Sequence, residues 1–566
     1  MPRTIALVAD ALVMLLSAVV LAIVLTGGGV FTVAGQRISA TGVDNPLLAL
    51  TLIAALRYGL LRRIPLAGRG RWSIAVIETR ARDILVGLQG RLEGLSARTQ
   101  VVTVVAAALA ATAIKIVLAG AYPGFFSGDD VEIHEMSIGA LWNAPWPIWD
   151  LRNAVFPLGV VYPAQKLAAA AGIDDPAALV LAGRLPVAVL SSLTIVLLWR
   201  AGRELWPRAA GYGVVAAILF ATSQLHIAFG SSELPRPVAT VLVTSAFVLL
   251  LRPHVIRVAA AGVVLGLAAS FRFSEAIFIV PALITLAWQR RWGMAALLAL
   301  CATGAAVAAI AVSDAFYWGE AFHSVKAAVD YTLVQRLSSR GYQSVAWYLL
   351  HVLAWVNPAV LVLSAVALFR NPRLTDTWVW APVLLLSLLP HKEARYMIPV
   401  VPFVCLTAAR GLQVIVAAIA DDDRSARRPW VAAGLIAMLG IGVAHDAGHW
   451  RLPRSNADVA FARALTAAIP ANQTVAMEQV WRAGGRLYLH PREVVDLDPD
   501  RLGDPQYLPQ SLPSGGALAL DSRTVARYQL EPALQAGGYE LAPLVVPGSR
   551  YRLWIPATRR EHRPSH

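Results

Sequence analysis

Long apolar runs separated by short polar turns dominate the hydrophobic pattern of this chain. A helix that crosses a bilayer needs about 20 mainly apolar residues, and about 13 segments approach that length. In chain order these predicted spans are 5–27, 45–61, 101–121, 176–199, 209–228, 234–251, 256–270, 274–288, 293–313, 345–369, 377–390, 396–419 and 429–446. The pattern therefore predicts an all-α polytopic membrane protein.

The pattern changes beyond residue 447, where apolar density falls and short alternating runs appear. These runs predict a helix over 459–468, strands over 474–477, 494–497 and 517–520, and a hairpin of 541–545 with 551–555. We therefore expect three domains: two N-terminal helices with an Arg-rich loop (1–100), a membrane domain (101–446) and a small α/β domain (447–566).

Composition narrows the class of protein. With 57% hydrophobic and 15% charged residues and a mean hydropathy of +0.59, the chain is too apolar for a soluble globular protein. The net charge of +14 does not indicate nucleic-acid binding, because most arginines lie in short turns between apolar runs. The two cysteines both lie inside such runs and predict neither a disulfide framework nor a thiolate metal site.

The distribution of arginine predicts the orientation in the membrane. The loop 62–98 and the turns near residues 200–208, 252–257, 290–291 and 370–373 are Arg-rich and fall on one side of the predicted spans. By the positive-inside rule that side is cytoplasmic. The predicted location is the inner (plasma) membrane, with the other loops and the C-terminal domain on the extracytoplasmic side.

Those other loops carry the unusual polar residues, in segments 127–130, 231–236, 271–275, 313–320 and 391–396. Ionisable residues at a membrane are costly and often functional. Their placement on one membrane face predicts a shared site there.

The most distinctive segment is a charged cluster between two apolar helices. His391, Lys392 and Arg395 supply three potential cations where hydrocarbon meets water, which suits the phosphate of a lipid headgroup. Interfacial anchoring by snorkelling side chains is the alternative. Glu393 either orients Lys392 or Arg395 or offsets their charge.

An acidic pair follows the third predicted span. Asp129 and Asp130 repel each other, which raises the pKa of a carboxyl and suits a general base. One alternative is that Ser127 or Asp129 caps an interfacial helix over 131–142, with an aromatic belt of Trp142, Trp146 and Trp149. Another is a metal site that uses Asp129, Asp130, Glu132 and His134.

Further polar residues have two explanations each. Glu233 and His226 either line a path for an acceptor or form an interfacial polar cap. Asp314 contacts sugar hydroxyls or caps a helix. Arg184 lies in an apolar run, which predicts a buried partner or a site, the alternative being that the predicted span is out of register. Lys115 either snorkels or pairs with an acid such as Glu132.

These motifs together resemble the GT-C superfamily of integral-membrane glycosyltransferases. The string 391–396 is similar to the His-Lys-Glu-x-Arg-Phe signature of glycosyltransferase family 22, the dolichol-phosphate-mannose-dependent mannosyltransferases. Segment 313–319 resembles that family's Asp-x-x-Tyr-Tyr-Gly loop, and Trp347-Tyr348 its aromatic pair. The resemblance covers roughly residues 101–420. The family's His-Pro-Asp-Glu segment is replaced here by residues 127–130, Ser-Gly-Asp-Asp.

The resemblance implies transfer of a sugar, taken to be mannose, from a polyprenyl-phosphate donor to a lipid-linked or cell-envelope glycan, with inversion. It implies Asp129 as the base, with Asp130 as the other candidate. We expect no cofactor and no divalent metal. The remaining assignments are donor phosphate binding by His391, Lys392, Arg395 and Arg272, and substrate binding by Glu132, Glu233, Asp314 and Glu393.

Lysine is rare beside arginine among the 49 basic residues, which suggests a GC-rich bacterium and therefore an undecaprenyl or decaprenyl phosphate lipid. A flippase or transporter is the alternative function, although no inverted repeat is visible and the polar motifs lie on one face. A polysaccharide ligase of related architecture also stays open. The C-terminal domain is expected to recognise the acceptor or to act as a lid.

Overall fold

The computed structural model describes residues 90–557 apart from 145, 335–341, 421–427, 505 and 512–514, together with two strands and a few single positions nearer the N-terminus. The predicted spans 5–27 and 45–61 lie almost wholly outside the described residues. The two strands, β1 (Gly29–Val33) and β2 (Gln36–Ala40), form an antiparallel hairpin.

The chain from residue 97 to residue 448 is mostly helical. Its helices are α1 (Ala97–Ala121), α2 (Gly128–Trp142), α3 (Tyr162–Ala170), α4 (Pro176–Leu205), α5 (Gly211–Thr222), α6 (Gln224–Gly230), α7 (Arg236–Leu250), α8 (Val255–Phe271), α9 (Ile279–Trp288), α10 (Trp292–Trp318), α11 (His323–Val329), α12 (Trp347–Leu350), α13 (Pro358–Arg370), α14 (Thr377–Ser387), α15 (Val401–Ala420) and α16 (Arg428–Gly448). Two 3-10 turns, Phe273–Phe278 and Ala394–Met397, lie near α9 and α15.

Capping residues explain where several of these helices begin. The side chains of Ser96, Asp175 and Asn357 each accept a backbone N–H from the first turn of α1, α4 and α13. A proline occupies the first helical position after Asp175 and after Asn357, where its missing N–H costs no hydrogen bond.

Within the described residues, α1, α4, α10 and α15 are long and apolar enough to cross a bilayer, and α5 with α6, bent by 52°, has the length and composition of either a broken span or a re-entrant loop. The structure therefore shows a multi-pass helical membrane protein, while the count of about 13 spans stays a prediction. The predicted span 345–369 is interrupted, because Asn357 and Pro358 start a new helix after two short turns at 347–350 and 352–354.

Small residues bring the helices close together. A Cβ at Gly262 of α8 would lie 2.6 Å from the Leu298 carbonyl oxygen of α10, and one at Gly266 would collide with the Ala302 carbonyl. Such close backbone contact provides van der Waals packing between membrane helices, where lipid tails provide no hydrophobic driving force.

The Arg-rich turns gather at one end of the bundle. Glu204 at the end of α4 pairs with Arg200 and with Arg252 before α8. Arg291 before α10 donates to the Pro253 carbonyl oxygen at 2.7 Å. Helix α8 runs from this end to Arg272 at the other, so the arginine turns and the polar segments lie at opposite ends.

The C-terminal region is the α/β unit that the alternating runs predicted. Its elements are α17 (Asn456–Ala468), β3 (Val475–Glu478), β4 (Val494–Leu497), α18 (Tyr507–Ser511), β5 (Ala517–Asp521), α19 (Ser522–Tyr528), α20 (Glu531–Ala536), β6 (Tyr539–Leu541) and β7 (Tyr551–Pro556). Its sheet has the order β4-β3-β5-β7-β6, in which β3, β4 and β5 are parallel and β7 is antiparallel to both of its neighbours. The three predicted strands are confirmed, but the first strand of the hairpin ends at residue 541, where the prediction began it, so 542–545 is not strand.

This unit packs directly on α2. Val131 and Ile138 of α2 share a buried core with Val459 and Met477 of the C-terminal unit. The Glu135 carboxylate accepts the Arg486 backbone N–H at 2.7 Å. The C-terminal unit thereby holds the helix that carries the acidic pair.

Candidate active site

Helix α2 presents its acids on different faces, because residues three or four positions apart share a face and adjacent residues do not. Asp129 and Glu132 both contact Arg152. Asp130 turns back toward the preceding loop, and Glu135 faces the C-terminal unit. Adjacent acids in the sequence therefore have separate surroundings.

Asp129 lies where three arginines meet. Its Oδ2 is 3.1 Å from Arg395 Nη2 and 3.5 Å from Arg272 Nη2, and its Oδ1 accepts a hydrogen bond from Arg152. The Asp129 side chain is 10% exposed. These contacts join α2 to the end of α8, to the 3-10 turn at 394–397 and to the loop between α2 and α3. Three of the five predicted polar segments, 127–130, 271–275 and 391–396, therefore meet at Asp129.

Glu393 holds the charged cluster in shape. It pairs with Arg395 and accepts a 2.9 Å hydrogen bond from, or donates one to, His391 Nε2, according to its protonation. The Arg395 guanidinium also lies 5.9 Å from the Phe126 ring centroid and is 3% exposed. Of the two expectations for Glu393, orientation of Arg395 is the one that the geometry matches.

Lys392 does not point toward Asp129. Its Nζ donates to the carbonyl oxygens of Gln343 at 2.9 Å and Leu389 at 2.6 Å, and its side chain is buried. The predicted group of phosphate-binding cations is therefore divided. Arg272 and Arg395 meet at Asp129, and His391 contacts this group only through Glu393. Lys392 instead ties the cluster to the backbone of residues 343 and 389, which both precede it in the chain.

Asp130 is bound to the turn that precedes α2. Its Oδ1 accepts from Ser127 Oγ at 2.9 Å and its Oδ2 from the Phe126 N–H at 3.2 Å, and the residue is 1% exposed. Ser127 stands at the N-cap position but makes no side-chain cap hydrogen bond. The expected cap by Ser127 is thus replaced by a bond to Asp130.

The two carboxyls differ in proton affinity. Burial opposes ionisation of Asp129, but the charges of its three arginines outweigh burial and hold the pKa of Asp129 well below its usual range. Burial, followed by the nearby Glu233 carboxylate, raises the pKa of Asp130 to about 7. Repulsion between the adjacent acids contributes least to that rise. Asp129 is therefore the ionised and more accessible acid.

Glu233 lies in a second, fully buried network. Its Oε2 and Oε1 accept from Arg184 Nε at 2.6 Å and Nη2 at 3.2 Å, and its Oε1 is 3.7 Å from His134 Nε2. Arg184 also donates to the Tyr122 and Gly124 carbonyls. The predicted partner of Arg184 is found, and the structure places Glu233 inside the protein rather than at an open surface.

Two other expectations need correction. Lys115 neither snorkels nor pairs with Glu132, since its Nζ lies 2.8 Å from Ser191 Oγ and 3.2 Å from His226 Nε2 inside the bundle. His226 is buried with Lys115 and does not line an open path. The two groups, a hydroxyl and an imidazole, provide polar contacts for the Lys115 side chain in the apolar interior.

Asp314 is likewise fully buried, and its Oδ2 accepts from Ser324 N at 2.9 Å and Ser324 Oγ at 2.6 Å. That contact matches the helix-cap explanation, because Ser324 lies in the first turn of α11. The metal-site alternative requires Glu132 and His134 to converge, yet they face different networks. In the described part of the chain no three such side chains form a metal-binding group.

Sequence patterns did not identify Arg152, although it contacts both Asp129 and Glu132. It is a lone arginine in an aromatic loop and lies outside the motifs of the family. Its position next to Trp149 on the predicted extracytoplasmic face was the available signal.

The fold is similar to that of ArnT from Cupriavidus metallidurans. With undecaprenyl phosphate bound, that structure matches at a TM-score of 0.53 and 16% identity, over 82% of this chain and 99% of ArnT. The apo structure matches at a TM-score of 0.54 and 17% identity, over 81% and 98%. The likeness supports the predicted GT-C fold.

The model of the Alg9-like mannosyltransferase family matches residues 144–466, more than half of the chain, and the chain belongs to this family. The Drosophila melanogaster Dol-P-Man:Man(7)GlcNAc(2)-PP-Dol alpha-1,6-mannosyltransferase is 31% identical over 150 residues, 26% of this chain and 22% of the relative. Alpha-1,2-mannosyltransferase ALG9 of Mus musculus is 26% identical over 182 residues, 28% and 29% of the two chains. The matched segments therefore span less than a third of either relative.

Proposed function

We propose that this protein transfers a mannosyl residue from a polyprenyl-phosphate donor to a hydroxyl group of a lipid-linked or cell-envelope glycan, with inversion at the anomeric carbon. The observation that carries the proposal is the contact of one carboxylate, Asp129, with arginines from three separate segments, in a chain of a mannosyltransferase family. Such a transfer requires a group that takes a proton and cations that receive a phosphate.

The reaction is a single displacement. The acceptor oxygen attacks C1 of the sugar on the face opposite the phosphate, and Asp129 takes the hydroxyl proton. The bond between C1 and the phosphate oxygen breaks, and its electron pair leaves with the polyprenyl phosphate. Arg272 and Arg395 stabilise the charge that develops on that oxygen. Neither a cofactor nor a divalent metal is part of this scheme.

Arginine can serve this site both before and after the donor binds, because its planar guanidinium binds a carboxylate or a phosphate through parallel hydrogen bonds. Before the donor binds, the arginines bind Asp129 and keep its proton affinity low. When the phosphate takes over part of their hydrogen bonding, the proton affinity of Asp129 rises toward the range that a base needs. Donor binding therefore activates the base.

A cavity of about 430 Å³ lies beside the charged cluster and supports the choice of a lipid donor. Its wall is mainly apolar, with His351, His449 and Arg451 among the polar members. Ala394, next to Arg395, is part of that wall, so a prenyl chain in the cavity would place its phosphate near the arginines. Other lining residues are Leu225, Ala228, Phe229, Leu350, Leu353, Leu452 and Pro453.

The proposed orientation has the site and the C-terminal unit on the extracytoplasmic side of the inner membrane. Its support is the arginine-rich end of the bundle opposite the site, which the positive-inside rule assigns to the cytoplasm. Single cysteines at exposed positions 342 and 290, in a background that lacks Cys301 and Cys405, test it. We expect an impermeant reagent to label position 342 from outside and position 290 only after lysis; the reverse would contradict the orientation.

The activity is tested with purified protein in lipid nanodiscs and radiolabelled polyprenyl-phosphate mannose. We expect release of polyprenyl phosphate together with a mannosylated product whose anomeric configuration is opposite to that of the donor, as read by NMR. Polyprenyl-phosphate glucose and polyprenyl-phosphate arabinose serve as matched donors. Failure to bind or cleave any of the three donors would contradict the proposal. A preference for the glucose or arabinose donor would show that the transferred sugar is not mannose.

A further inference from the structure

Three tryptophans at or just beyond the end of α2 have different surroundings. Trp142 and Trp146 pack against His490 of the C-terminal unit, with ring centroids 5.0 and 5.7 Å apart from it. Trp149 is 46% exposed and lies beside the site, with its ring centroid 5.4 Å from the guanidinium carbon of Arg152. The three residues therefore do not form one aromatic belt.

Arg152 connects the exposed Trp149 ring to Asp129. The same guanidinium that lies near Trp149 bonds to Asp129 and to Glu132. Exposure of the side chains rises along this path, from 10% at Asp129 to 23% at Glu132 and 46% at Trp149. The path leads from solvent to the proposed base.

Other aromatic residues hold the Trp149 region in place. Trp318 Nε1 donates to the Arg152 carbonyl oxygen at 3.2 Å, and the Trp318 ring stacks on His323 at 4.6 Å. Tyr331 meets Trp149 edge to face at 5.5 Å. The loop that carries Trp149 is thus fixed by residues near the end of α10 and beyond it.

We propose that the exposed part of the Trp149 ring is the platform for the sugar ring of the acceptor, while Arg152 lies over one ring face and holds Glu132 beside it. This inference rests on the proposed function and adds the part of the site that receives the sugar whose hydroxyl attacks. An apolar ring face covers the C–H face of a pyranose, while a carboxylate and a guanidinium bind its hydroxyls. Arg152 also holds Asp129 and Glu132 in one orientation.

The test compares full-length wild type with Trp149→Ala and Trp149→Phe in nanodiscs, with octyl mannoside, octyl glucoside and octyl galactoside as acceptor probes. The readouts are KM and kcat for each acceptor, KM for polyprenyl-phosphate mannose, and donor cleavage without acceptor. Trp292→Ala is the matched control, since Trp292 is 68% exposed and lies at the Arg-rich end of the bundle.

We expect Trp149→Ala to raise KM for the best acceptor about ten-fold. Donor KM and kcat should stay unchanged, Trp149→Phe should recover most of the affinity, and Trp292→Ala should match wild type. An unchanged acceptor KM, or an equal rise in donor KM, would overturn the platform. So would donor cleavage by wild type without transfer to any octyl glycoside. Absence of donor binding and cleavage in wild type would instead overturn the proposed function, and the platform with it.

Discussion

At the Arg-rich end of the bundle, Glu204 pairs with Arg200 and Arg252, whose side chains are 44% and 67% exposed. At the opposite end, Asp129 pairs with Arg395, whose side chains are 10% and 3% exposed. Each end pairs a nearly buried carboxylate with arginine, since the Glu204 side chain is 8% exposed, so the ends differ in the exposure of the arginines. Ion pairs with an exposed partner contribute about 0–1 kcal/mol and are screened by salt. Buried pairs carry a desolvation cost that often exceeds their attraction.

Under the proposed function, the exposed arginines set the orientation of the chain in the membrane, and the buried arginines take part in the reaction. For orientation in the membrane, the arginines in the exposed turns need only their positive charge. Which carboxylate pairs with each of them therefore does not matter. Arg395 and Arg272 must keep a fixed geometry around Asp129, and the ion pairs Arg395–Glu393 and Arg236–Glu275 help to hold it. We therefore expect substitutions at the two ends to differ in kind.

Asp129→Asn should have the largest effect. A general base contributes about 10²- to 10⁴-fold in rate, and the amide preserves shape while removing basicity. We expect a loss of that size in kcat, in a protein that still folds and still binds the donor. Transfer from polyprenyl-phosphate mannose measures the rate.

Asp130→Asn and Asp174→Asn are the comparisons for that variant. Asp130 bonds to the turn before α2, so its amide should lower stability more than kcat. Asp174 is exposed, and its variant should behave as wild type. If Asp129→Asn keeps near-normal turnover while Asp130→Asn is inactive, the general base is Asp130 and not Asp129.

Arg395→Lys should come next. Lysine keeps the charge but cannot contact Asp129 and Glu393 with one planar group, so we expect donor use to fall about ten- to a hundred-fold. Lys392→Ala should cost less, since Lys392 donates to backbone carbonyls and not to Asp129. Donor KM and kcat of both variants measure the order, and a larger loss for Lys392→Ala would return the phosphate role to that residue.

The contact between α2 and the C-terminal unit should show in the pH dependence of stability. Burial raises the pKa of Glu135 from 4.5 to about 7. Because the folded-state pKa lies above the unfolded value, this contribution to stability is complete below about pH 4.5 and is lost as pH rises through about 7. As the pH rises, the Tm of wild type should therefore fall relative to the Tm of Glu135→Gln. Exposed Glu540→Gln is the control, and a pH-independent difference would contradict the prediction.

Arg252→Ala should have the smallest effect. An exposed partner of this kind contributes about 0.2–1 kcal/mol at most, and turnover should be unchanged. Tm and transfer activity in low and high salt measure it. A loss of activity comparable with that of Arg395→Lys would remove the distinction between the two ends.

Local patterns predicted much of the fold. The apolar runs predicted the bounds of α1, α4 and α10 to within a few residues, and the alternating runs after residue 447 predicted the positions of β3, β4 and β5. These elements depend on neighbours in sequence, which a hydrophobic pattern records. The break before Pro358 was missed because apolar composition continues across it while the backbone does not.

For the site, local sequence was enough to indicate the class of protein and to predict that the segments of Asp129, Arg272 and Arg395 lie at one end of the bundle. Packing showed which acid meets the arginines, that Lys392 turns away, and that Arg152 joins the cluster. The physical reason is separation along the chain. Asp129 and Arg395 are joined by packing of distant helices, and the direction of a side chain at such a junction depends on contacts that no local period records.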